Sequence, residues 1–83
     1  VKRWKKIMVE INLIKIEDGV VKIECIPERN LNEKFILELD PIHKKILSTT
    51  RKKDVYVSHA AYRIYKEYEE NNKIPQQTVA VWY

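Results

Sequence analysis

Asp54, Ser58 and His59 are the residue types of an orienting acid, a nucleophile and a base, and their closeness in the chain raises the question of hydrolytic chemistry. Such chemistry needs side chains that converge on one point. Ser58 and His59 are adjacent in a segment of helical periodicity, and adjacent helical side chains do not face each other. The chain has a single glycine, Gly19, and no glycine-rich elbow on which a nucleophile could be presented. Asp54 and Ser58 are better suited to capping a helix start, with His59 just inside it. His43 stands in a polar turn, and neither it nor His59 belongs to a metal-binding spacing such as HxxxH. Cys25 is the one cysteine, which excludes an internal disulfide. It alternates with Val21 and Ile23, so it reads as a small buried hydrophobe. These residues predict a non-catalytic protein without metal or cofactor.

The charge invites a second reading. Sixteen basic residues against twelve acidic ones give a net charge of +4 and a pI near 9.2, as expected of a nucleic-acid partner. Four of the cations, Lys2, Arg3, Lys5 and Lys6, precede the first acid, Glu10. Without them twelve cations face twelve acids. The chain begins with Val1, and Lys-Arg-Trp is encodable by a purine-rich string that resembles a ribosome-binding site ahead of Met8. Met8 is therefore the expected start, with residues 1–7 a non-native or flexible extension; an intact mass retaining Val1 in the untagged native protein would refute this. The charge that remains of interest is in residues 41–53, where Lys44, Lys45, Arg51, Lys52 and Lys53 occur with no acid. On a hairpin the two ends of this segment would approach and form a phosphate-binding patch. The competing role for these lysines is to guard an exposed sheet edge.

The elements that position these residues follow from periodicity. Val57, Ala61, Ile64, Tyr65 and Tyr68 recur at helical spacing and predict an amphipathic helix over residues 54–74, with Arg63, Lys66, Glu67, Glu69 and Glu70 opposite. Asn71-Asn72 permits a left-handed end, and Pro75 forbids continuation. Ile7, Val9, Ile11 and Leu13 alternate with polar residues as a strand; the apolar phase then shifts to Ile14 and Ile16, predicting a bulge near residues 12–14. Asp18-Gly19 is a type I′ hairpin signal, pairing Ile16 with Val21, Ile14 with Ile23 and Asn12 with Cys25. After a polar connection over residues 27–32, Phe35, Leu37 and Leu39 mark a third strand. Asp40-Pro41 opens a turn, residues 45–50 form a fourth strand, and residues 78–83 form a last one whose Val79, Val81 and Tyr83 share a face. The predicted order is ββββαβ in one α+β domain, a mostly antiparallel sheet of about five strands under one helix.

Tyr56, Ser58 and His59 at a helix start, the Ile74-Pro75 break and a short strand ending in Trp82-Tyr83 resemble the last third of small uncharacterised bacterial proteins. No assigned activity follows from that resemblance. Residues 35–47, with their Asp-Pro turn and Lys-Ile-Leu run, also resemble the hairpin of PepSY-type domains, but the turn glycine of that pattern is absent here and no function carries over. Amphipathic rings at Tyr62, Trp82 and Tyr83 point to an interface, with an unknown protein partner or with a second copy. The expectation is a small cytoplasmic interaction or self-association module with no membrane segment. The alternative is a nucleic-acid-binding accessory using residues 44–53.

Overall fold

The computed structural model describes residues 6–83. The order is β1 (Ile7–Glu17), β2 (Val20–Pro27), a single 3-10 turn (Leu31–Glu33), β3 (Phe35–Asp40), β4 (Lys45–Thr49), α1 (Val55–Asn71) and β5 (Gln77–Trp82). The strands form one antiparallel sheet in the order β4-β3-β2-β1-β5, with α1 against one face. This is the predicted α+β architecture. Of residues 1–7, read above as an extension, the first five lie outside the described residues, and Ile7 opens β1 opposite Trp82.

The β1–β2 hairpin turns at Asp18 and Gly19, both with positive φ (51° and 78°), as a type I′ turn requires. Ile16 pairs with Val21 as expected, but Leu13, not Ile14, faces Ile23, and Ile11, not Asn12, faces Cys25. The reason is the position of the bulge. Ile14 is the extra residue between Leu13 and Lys15, so every pair on its N-terminal side moves by one. An unbulged register would turn Asn12 into the core, where its carboxamide would lose water without gaining a partner. The bulge instead places Leu13 against the core and leaves Ile14 47% exposed.

The core lies between sheet and helix. Val9, Ile11, Val21, Ile23, Cys25, Phe35, Leu37 and Leu39 supply the sheet side, all essentially inaccessible. Val57, Ala60, Ala61 and Ile64 supply the helix side, and the two alanines let the helix backbone sit close to the strands. Tyr65 and Tyr68, predicted on the same stripe, flank this contact and are only partly buried. The helix is shorter than the predicted 54–74 span. Asp54 caps its start by accepting a bond from Val57 N at 3.1 Å. Asn72 ends it in the left-handed region (φ 53°), with its N–H donating to Tyr68 O. That leaves Ile74, past the cap, free to fold back into the core. Pro27, expected in the connection, instead closes β2 opposite Val9 and is buried.

In β5 the odd residues do share a face, but it is the one turned away from the helix. Ala80 is buried beneath α1, and Thr78 and Trp82 contact helix side chains. Because Ile64 is fully enclosed at the centre of this layer, Ile64→Ala should destabilise the fold by about 2–5 kcal/mol. Tyr65→Ala should cost less, since the ring already meets solvent; urea unfolding of the two variants checks the ranking.

Candidate functional site

The three residues of the hydrolase question are not joined into one site among the described residues. Asp54 caps α1 and accepts from Arg51 Nε at 2.7 Å. Ser58 is exposed, and the His59 ring lies flat on Trp82, with centroids 3.9 Å apart and planes 8° from parallel. Among the described residues no side-chain hydrogen bond joins them. His43 Nδ1 is 2.7 Å from Asp40 Oδ2, an arrangement that holds the Asp40 carboxyl below its usual pKa. Among the described residues no three His, Cys, Asp or Glu side chains gather as a metal site would require. Burial pushes the Cys25 thiol up to about 12, so it stays protonated and unreactive at neutral pH.

The basic residues are not brought together. Lys44 and Lys45 stand at one end of β4 and Arg51, Lys52 and Lys53 beyond the other, a separation of roughly 17 Å along a five-residue strand. Two of the five are held by acids. Lys44 Nζ is 2.6 Å from Glu69 Oε2, and that bond raises the Lys44 pKa and lowers that of Glu69. Arg51 bonds Asp54, lies 3.4 Å from Glu33, and spreads its guanidinium over the rings of Phe35 and Tyr56. It acts as a brace at the helix start. Lys45, Lys52 and Lys53 are exposed, with no ion pair among the described residues.

Two of the three aromatic interface residues, Tyr62 and Trp82, come together beside β5, the edge strand among the described residues. The pairing of β5 with β1 includes a bond from Leu13 N to Gln76 O at 2.9 Å, which sets the phase of the ladder. Thr78, Ala80 and Trp82 therefore turn N–H and C=O toward β1, while Gln77, Val79 and Val81 turn theirs away from the sheet. Along this edge a groove of about 280 Å³ separates β5 from α1, lined by His59, Tyr62, Arg63, Lys66, Val81 and Trp82 with Ala80 at its base. Tyr62 is 61% exposed and Val81 43% exposed. Trp82 is fixed by the His59 stack and an edge contact from Tyr56 at 5.7 Å. Arg63 donates to Thr78 Oγ1 at 3.3 Å and pairs with Glu67 at 2.7 Å, tying helix to strand. Tyr83, the third predicted interface residue, lies past β5 and outside the groove, 74% exposed.

The two edges of the sheet differ in kind. β4 is five residues long, begins with Lys45 and carries a register shift at Leu47, all of which discourage a further strand. β5 is paired in continuous register over six residues, and residues 74–83 contain no charge. Val79, Val81, Arg63 and Lys66 were not among the sequence-predicted site residues. The uncharged run at residues 74–83 was the signal available, but its meaning depends on β5 being an edge.

Comparisons with family models, with curated proteins and with solved structures returned no match.

The Asp54 cap gives a pH-dependent prediction. Burial tends to raise its pKa, but the bonds from Arg51 and Val57 outweigh this and leave it lowered. A carboxyl with a folded pKa below its unfolded value stabilises the fold above the unfolded pKa, about 3.9, and ceases to do so as pH falls through the folded one. Asp54→Ala should therefore cost about 1–2 kcal/mol at pH 7. The gap between variant and parent in urea unfolding should narrow in acid.

Proposed function

We propose that this chain is a non-catalytic interaction module that accepts an extended segment of another chain along β5, adding a strand to its sheet. The observation that carries the reading is the unguarded edge itself. Val79 and Val81 direct unpaired backbone groups outward from an uncharged strand without bulge or proline, whereas β4 is short, shifted and basic. Backbone hydrogen bonds would supply affinity there, and the side chains beside the edge would supply selectivity. The rings of Tyr62 and Trp82 fit this role, offering rigid area with polar rims.

The alternative, a nucleic-acid accessory using Lys44, Lys45, Arg51, Lys52 and Lys53, draws support from the exposure of Lys45, Lys52 and Lys53. It has less behind it, because Lys44 and Arg51 are already engaged by carboxylates and β4 separates the two groups.

A capped hexapeptide alternating threonine and valine is a sufficient probe. Added to isotopically labelled protein, it should shift the Val79 and Val81 amide resonances. Val79→Pro removes an outward N–H that no strand among the described residues uses, so it should abolish the shift at Val81, the reporter that remains, while leaving the fold intact. A Val81 shift that persists in the proline variant, or shifts that cluster on residues 44–53, would contradict the reading.

A further inference from the structure

From the charge of the groove beside β5, we infer the chemistry of the segment that docks there: an extended peptide with carboxylates at alternate positions and apolar residues between them. This inference rests on the strand-docking reading and adds the identity of the occupant. A strand laid along β5 would send successive side chains to opposite faces of the sheet. On the helix side they meet the groove, whose lining among the described residues holds two cations, Arg63 and Lys66, and no carboxylate; Glu69 and Glu70 line the adjoining hollow, which shares Tyr62 and Lys66 with it. Arg63 is partly neutralised by Glu67, but Lys66 is exposed with no ion pair among the described residues. Tyr62, one turn before Lys66 on the helix, has its hydroxyl free to donate to a carboxylate; no hydrogen bond engages it among the described residues.

On the other face the incoming side chains meet Val79 and Val81, behind which lie Glu10, paired with Val79 and bridged to Arg29, and Met8, paired with Val81. That side favours valine or isoleucine. The alternation of the partner is thus dictated from both sides of one edge.

A second copy fits less well. Two β5 strands paired antiparallel about Val79 would bring Arg63 and Lys66 of each copy toward those of the other, a like-charge approach across the new seam. The contact would be limited to one six-residue strand from each chain, small beside what a stable dimer buries.

The test uses three capped hexapeptides, alternating valine with glutamate, with threonine or with lysine, titrated into the full chain at low salt and followed at the Val79 and Val81 amides. The glutamate peptide should bind at least about tenfold tighter than the threonine peptide, and the lysine peptide should bind weakest. Raising the salt should erode that preference. Lys66→Glu, a change at an exposed helix position, should remove or invert the order of the glutamate and lysine peptides. Equal binding of all three, or an order indifferent to Lys66→Glu, would overturn the acidic inference and leave strand docking standing. Dimerisation in sedimentation with the β5 amides as its interface would do the same. Failure of every peptide to move Val79 and Val81, with no self-association there, would overturn both.

Discussion

The pairing of β5 with β1 is the constraint on which the rest of the structure depends. It joins the last strand to the first, across the whole length of the described chain, with Ile7 opposite Trp82 and Asn12 opposite Gln77. Without it α1 would cover only the β1–β2–β3 part of the sheet, and Ala80 would not be buried beneath the helix. The same pairing fixes which groups of β5 are left over. Once Thr78, Ala80 and Trp82 are committed to β1, Val79 and Val81 must face outward, because the bonding direction alternates along an antiparallel ladder.

The helix is locked onto that floor by contacts of different kinds at its two ends. At its start, Asp54 caps the backbone and Arg51 ties it to Glu33, while Tyr56 donates to Glu28 Oε2 at 3.0 Å. Glu28 also accepts from Met8 N and returns its own N–H to Met8 O, so the loop after β2, the start of β1 and the helix are connected through one residue. Glu28 and Arg29 hold positive φ (49° and 59°), a conformation that costs a non-glycine residue energy and is sustained here by those bonds. Along the helix, Arg63 bonds Thr78 and His59 stacks on Trp82. The groove at the β5 edge thus has rigid walls although it lies at the periphery of the sheet, which suits a surface that must present a fixed pattern of charge and ring.

Much of this architecture is legible in the residues. Strict alternation marks β1 and β3, Asp18-Gly19 marks the hairpin, and the spacing of Val57, Ala61 and Ile64 marks the helix, because each is a local consequence of burying one face. The bulge was legible as a phase shift within residues 12–14, but the exact residue was not, since choosing Ile14 over its neighbours depends on keeping Asn12 out of a core built by other strands. The inward face of β5 was hidden for a similar reason: Val79 and Val81 look more apolar than Thr78 and Ala80, yet the close approach of α1 admits the smaller residues. Nor does local pattern reveal that residues 41–53 hold their cations apart, since ion pairs to Glu69 and Asp54 depend on where the helix lands. The site at the β5 edge needed the topology most of all. An uncharged strand is unremarkable inside a sheet and conspicuous only at its border.

Amide hydrogen exchange of the dilute, unliganded chain tests the central claim most directly. If β5 presents an open edge, the Thr78, Ala80 and Trp82 amides exchange slowly, behind their bonds to β1, and the Val79 and Val81 amides between them exchange orders of magnitude faster. Slow exchange at Val79 and Val81 in the same sample would mean that the edge is already covered, and would contradict the account.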